Sequence, residues 1–190
     1  MDAHEFSKQY LRNLSAVLQE LSLDDWNRVL QRLETALVEQ RTVFIVGNGG
    51  SAATASHMMN DLMLGVAQGG GRGFRAIALT DNVPVMTATA NDLGYRELFS
   101  APLRALGRAG DLLIAISGSG NSQNVIDAVQ VAGEIGMTTI GFLGMGGGKL
   151  KSLVDESITV PSDDYGPIED VHMILDHLMT AYFKWQQRAE

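Results

Sequence analysis

One arrangement, found twice, constrains this chain more than any other feature: a short apolar strand runs into a loop of glycine and serine, and the loop into a helix. Thr42-Val-Phe-Ile-Val46 precedes Gly47-Asn48-Gly49-Gly50-Ser51 and a helix-favouring segment to about Leu64. Asp111-Leu-Leu-Ile-Ala-Ile116 precedes Ser117-Gly-Ser-Gly-Asn-Ser122 and a helix to about Ile135. Phe74–Leu79, Thr138–Leu143 and Ser157–Val160 read as three further strands. Continuously apolar strands that alternate with helices describe a parallel sheet covered on both faces. The fold class is α/β, with five parallel strands.

Two helices lead into this unit. Phe6, Tyr10, Leu14, Val17 and Leu21 recur at helical spacing, as do Trp26, Val29, Leu30, Leu33 and Leu37. Ser22, with Asp25 three residues on, marks the start of the second helix. These stripes pack on the core or against another subunit. A closing helix from about Ile168 to Gln186 carries the stripe Ile168, Val171, Leu175, Leu178 and Tyr182. No linker or low-complexity run interrupts the chain, so residues 1–190 are expected to form one domain, with leading helices over 1–40 and the α/β core over 41–190.

Composition narrows the function. A formal charge of −8 and no run of Lys and Arg argue against nucleic-acid and anionic-lipid partners. The absence of cysteine excludes disulfides, thiolate metal sites and cysteine nucleophiles. No apolar stretch reaches the ~18–20 residues of a membrane span, and the polar start Met1-Asp2-Ala3-His4-Glu5 is unlike a signal peptide. No membrane partner and a cytoplasmic location are the expectation.

Ligands of open parallel sheets bind beyond the carboxyl ends of the strands, where both glycine-serine loops fall. Gly49 and Gly50 let backbone amides approach a ligand, and each following helix presents its partly positive, unpaired N–H end. Ser51, Ser117, Ser119 and Ser122 add hydroxyl donors without charge. A nucleotide P-loop is excluded, because no Lys follows the glycines. Gly47-x-Gly49-x-x-Ala52, with Asp81 near the end of the second strand, formally satisfies a dinucleotide fingerprint but leaves the serine-rich loop without a role. Ordinary tight turns are the remaining reading. A monophosphate ester fits both loops best.

Ionisable groups gather in two places. His57 and Asp61, four residues apart, share one helix face. The closing helix carries Glu169, Asp170, His172, Asp176 and His177, a density that ordinarily marks a solvated face.

Gly47-Asn-Gly-Gly-Ser-Ala-Ala52 with His57, Asn91-Asp92-x-Gly94-Tyr95, and Gly110-Asp111 leading into Ile116-Ser-Gly-Ser-Gly-Asn-Ser122 together resemble the sugar-isomerase (SIS) domain family, and within it the phosphoheptose isomerases. The likeness covers nearly the whole chain. It implies a flavodoxin-like three-layer α/β/α sandwich and a homotetramer with active sites between subunits. It further implies aldose–ketose isomerisation of sedoheptulose 7-phosphate, with Asp61 and His177 as the acid–base pair and Asn48 and Asp92 on substrate hydroxyls. Zinc is implied as well, on His57, Asp61, Glu169 and His177. Asp61 stands where the family has Glu, Glu169 where it has Gln, and Gly118 where its phosphate loop commonly has Thr. Asp and Glu are still zinc ligands. Glu169 and His177, eight residues apart, are separated by ~12 Å along one helix, so the spacing favours donors from different subunits. Non-enzymatic SIS-domain tetramers that bind a replication initiator share the loops but lack the acid and the late histidine. An isomerase of another sugar phosphate is the other alternative.

Overall fold

The structure, a computed structural model, describes residues 1–189. Helix α1 (Ala3–Gln19) begins at Asp2, whose carboxylate accepts the Glu5 amide at 2.8 Å. Helix α2 (Leu23–Val38) begins at Ser22, whose hydroxyl accepts the Asp25 amide at 3.2 Å. The core follows as β1 (Thr42–Gly47), α3 (Gly50–Asn60), β2 (Arg75–Ala78), α4 (Val83–Asp92), α5 (Ser100–Leu106), β3 (Leu112–Ser117), α6 (Gln123–Ile135), β4 (Thr138–Leu143), β5 (Glu156–Thr159) and α7 (Tyr165–Ala189). Residues Asp61–Gly65 prolong α3 as a π turn, and Tyr95–Glu97 form a 3₁₀ turn.

All five strands are parallel, in the order β2-β1-β3-β4-β5. The chain leaves β1 for one flank of the sheet and returns to start β3 on the other, so the loops after β1 and β3 open side by side at a topological switch point. Strand alternation sorts the core into two layers. Val43, Ile45, Leu112, Ile114, Ile140 and Phe142 face α2, α3 and α7; Phe44, Val46, Leu113, Ala115 and Leu143 face α5 and α6. This is a three-layer α/β/α sandwich. Among the described residues no helix is long and apolar enough to cross a membrane.

The leading helices are tied to the core unequally. In α2, Trp26, Val29, Leu30 and Leu33 are buried, and Arg28 and Arg32 both meet Glu156 of β5. In α1 only Val17 is buried, Phe6 is 62% exposed, and the Tyr10 hydroxyl donates to Asp170 of α7 at 2.6 Å. Leu21 lies past the end of α1.

Two expectations need correction. The buried stripe of α7 is Ile168, Val171, Leu175, Met179 and Phe183, whereas Leu178 is exposed and Tyr182 only half-buried. From Leu175 the buried residues follow at steps of four, Met179 and Phe183, whereas the step of three to Leu178 turns outward. The ionisable residues on α7 do not share one solvated face: Asp170 and His177 are exposed, but His172 and Asp176 are 1% and 0% exposed. Helices α4 and α5 lie where the sequence shows no apolar stripe. Val83, Val85, Thr87 and Thr89 are poor helix formers, and α4 is held by the Asn82 cap and Pro84 in its first turn.

Candidate active site

Helices α3 and α6 both start at the switch point, and neither has a side-chain cap: Gly49 has no side chain to offer, and Ser122 makes no capping bond. Their first-turn amides are therefore left for a ligand. The loops enclose a cavity of about 260 Å³ lined by Asn48, Gly49, Gly50, Ser51, Ser117, Ser119, Ser122 and Glu169, together with Gly118 and Tyr165. Ser117 and Ser119 also brace their own loop by accepting the amides of Gly120 at 3.1 Å and Asn121 at 3.2 Å. Gly118 needs no side chain: the Tyr165 ring stands 3.1 Å from where a Cβ would lie. Glu169 presses its carboxylate against Gly50, with Oε2 2.3 Å from a Cβ built there.

Asn48 is fixed by Tyr95 and Asn124. Its Oδ1 accepts from the Tyr95 hydroxyl at 2.9 Å and from Asn124 Nδ2 at 2.9 Å, and its Nδ2 donates to Asn124 Oδ1 at 2.8 Å. Tyr95 lies in the Asn91–Tyr95 motif, so its position is signalled but its task is not. Asn124 carries no signal. Asp92 stands apart from this cavity, exposed at the end of α4 and accepting from the Asn91 amide group at 2.7 Å.

A second cluster forms where the far end of α3 meets α7. His57 Nε2 lies 3.2 Å from His177 Nε2, 3.7 Å from Asp61 Oδ2 and 3.9 Å from Asp176 Oδ2. One donor atom from each of these four residues lies within 4.8 Å of all the others. Asp61 opens the π turn, an irregularity frequent at functional sites. Asp176 is fully buried, and neither of its oxygens has a hydrogen-bond partner among the described residues. Burial first, and the Asp61 charge second, push its carboxyl up to about 7. One turn away, burial takes the His172 imidazole down to about 4, against a smaller opposing effect of its hydrogen bond to the Leu143 carbonyl at 3.3 Å. Glu169, two turns before His177 on the unbroken α7, lies in the serine cavity and outside the four-residue cluster of its own chain.

The cluster fits a metal ion. It combines two imidazoles and two carboxylates, ordinary zinc donors, and includes a buried carboxyl with no hydrogen-bond partner among the described residues. The site thus offers two stations: an anion cradle of amides and hydroxyls, and a set of acid, base and metal-ligating groups.

Residues 6–144 match the SIS domain family. The chain is 42% identical over 151 residues to the phosphoheptose isomerase of Geotalea daltonii, covering 80% of this chain and 78% of that protein. It is 38% identical over 172 residues to the phosphoheptose isomerase of Helicobacter pylori strain P12, covering 90% and 87%. The solved phosphoheptose isomerase of Neisseria gonorrhoeae superposes with a TM-score of 0.88 at 32% identity, over 96% of this chain and 98% of that one.

Proposed function

The chain belongs to the SIS-domain family and, within it, to the phosphoheptose isomerases, and from that premise we propose that it interconverts sedoheptulose 7-phosphate and D-glycero-D-manno-heptose 7-phosphate by moving a proton between C1 and C2. The observation that carries this reading is the pairing of a cradle of amides and hydroxyls, walled on one side by Glu169, with a separate acid–base cluster across one helix.

The phosphate binds in the cradle, receiving hydrogen bonds from Ser51, Ser117, Ser119 and Ser122 and from the first-turn amides of α3 and α6. This remote binding energy positions the reacting carbons. Asn48, oriented by Tyr95 and Asn124, binds a sugar hydroxyl, as does Glu169 from the cavity wall. Asp92 is assigned to a substrate hydroxyl by family likeness. Asp61 and His177 divide the proton transfers: one takes the carbon-bound proton to form the enediol and returns it to the neighbouring carbon, and the other serves the two oxygens. His57, Asp61 and His177 would hold zinc. Bound there, it would supply Lewis-acid polarisation of the substrate carbonyl.

The subunits are proposed to form a homotetramer with the sites at their interfaces. The exposed Phe6 and Leu11 of α1, and Leu178 and Trp185 of α7, support it. The test is isomerisation of sedoheptulose 7-phosphate, with other ketose phosphates as controls, with and without zinc. Asp61→Ala and His177→Ala are expected to lose turnover while keeping native circular dichroism. Wild-type turnover in either variant removes the acid–base assignment.

A further inference from the structure

We propose that Tyr165 is a substrate-binding residue whose hydroxyl donates to the phosphate in the serine cavity, and that residue 118 is glycine because the Tyr165 ring fills the space of a side chain there. This rests on the assignment of that cavity to a sugar phosphate, and adds a donor from α7 to those of the two loops.

Gly118 carries the first part of the argument. It lies between Ser117 and Ser119 on the cavity wall, at the position where the family's phosphate loop commonly has Thr. Backbone conformation demands a glycine where φ is positive. Gly49 and Gly120 of the two loops have such values, but Gly118 does not. What excludes a side chain at 118 is packing. A Cβ built there would lie 3.1 Å from both Cδ1 and Cε1 of Tyr165 and 3.5 Å from Cγ2 of Ile168. A Cβ alone would press on the ring, and the γ atoms of Thr would need the space that the ring occupies.

Tyr165 carries the second part. It opens α7, and Ile168, one turn on, is fully buried against Gly118 and Gly144, which holds the start of the helix over the loop. The hydroxyls of Tyr10 and Tyr95 are engaged by Asp170 and Asn48, whereas that of Tyr165 has no protein partner among the described residues. A phenol is neutral at neutral pH and donates one hydrogen, so at the cavity wall it acts as the serines do, adding a donor without charge. The hydroxyl that residue 118 cannot supply comes instead from α7, the helix that also carries Glu169 into the cavity.

The test is equilibrium binding of inorganic phosphate and of sedoheptulose 7-phosphate to the full-length chain, by titration calorimetry in chelator. Tyr165→Phe keeps the ring and removes the hydroxyl. A hydrogen bond to an ionised acceptor corresponds to ~10-fold in affinity, and that loss is expected for both ligands. Wild-type affinity in Tyr165→Phe, or a loss for the sugar phosphate alone, overturns the proposal. A second arm asks whether the ring and residue 118 share one space. Gly118→Thr alone should weaken both ligands ~10-fold by pushing the ring off the cavity, whereas the same change in a Tyr165→Ala background should tighten them ~3-fold by returning a loop hydroxyl. An effect of the same sign in both backgrounds refutes the shared space. Tyr165 is 54% exposed, so its ring can yield to solvent and the variants are expected to keep native circular dichroism. Turnover by the wild-type chain separates this inference from the isomerase reading. A chain that binds phosphate through Tyr165 without isomerising the sugar upholds the first and sinks the second; a chain that isomerises it and binds equally well as Tyr165→Phe does the reverse.

Discussion

His172 and Asp176 sit one turn apart on the buried side of α7, and their effects on stability should oppose each other across the same pH range. The His172 imidazole falls from 6.5 to about 4 in the folded protein. Between those values the unfolded chain holds about one more proton there, so stability rises with pH at about 1.4 kcal/mol per pH unit and is lost as the pH falls through 4. Asp176 rises from 3.8 to about 7. There the folded protein holds the extra proton, so stability falls with pH at about the same 1.4 kcal/mol per unit until the pH passes 7. The two slopes cancel between pH 4.5 and 6.5, and each single variant exposes the other. Over those two pH units Asp176→Asn should gain about 2 kcal/mol relative to wild type, and His172→Gln should lose about 2 kcal/mol. The assay is urea unfolding in chelator at pH 4.5, 5.5 and 6.5, at fixed protein concentration, followed by the fluorescence of the buried Trp26. Surface carboxyls held low by arginine partners, such as Asp127 beside Arg96, are common to all three proteins and drop out of the differences. Three parallel stability–pH profiles would refute the reasoning.

Other consequences follow from the caps and turns. Ser22 and Ser122 both precede a helix, but only Ser22 accepts an amide of its helix. Ser22→Ala should cost about 1 kcal/mol in urea unfolding, whereas Ser122→Ala should leave stability within about 0.5 kcal/mol and raise the KM for the sugar phosphate; equal stability losses would count against an uncapped α6. Gly120 adopts φ +63°, and a Cβ there would lie 1.9 Å from the Gly147 carbonyl oxygen. Gly120→Ala should therefore cost more than about 2 kcal/mol, combining left-handed strain with a clash against backbone, and a melting temperature unchanged from wild type would contradict the loop geometry.

How far the sequence could be read depended on whether a feature announced itself through local pattern. All five strands were visible as apolar runs, β4 over its full Thr138–Leu143 extent; β1, β3 and β4 are buried on both faces, whereas the edge strands β2 and β5 are only partly buried and were read with bounds shifted by a residue. The serine loops were visible because their residue types have few other uses at a strand end. Asp176 was not, since a single carboxylate on a long helix looks like surface. A signal did exist. Ile168, Val171, Leu175, Met179 and Phe183 form one buried ladder, and His172, Asp176 and Thr180 form a second beside it. Two adjacent ladders mean a wide buried face, and a polar residue on the second ladder is inside by construction. The π turn at Asp61 left no mark at all: Asp61-Leu-Met-Leu-Gly65 reads as plain helix, and only its packing on α7 distinguishes it.

The connection between the two stations lies in α3 itself. Its first turn, at Gly50 and Ser51, forms part of the anion cradle, and His57 stands six residues further on, ~9 Å along the axis. Helix α7 packs against it and repeats the division, with Glu169 at the cradle and Asp176 and His177 at the cluster. On the proposed function, this helix pair would set the distance between the group that is held and the group that reacts. A sugar with phosphate at one end and carbonyl at the other can engage both stations at once. On the same proposal, a shorter phosphorylated ketose anchored by its phosphate in the cradle would leave its carbonyl short of Asp61 and His177. On this geometry discrimination by chain length falls on kcat rather than on binding, because the cradle grips every phosphate alike and only the correct span delivers the carbon to the base.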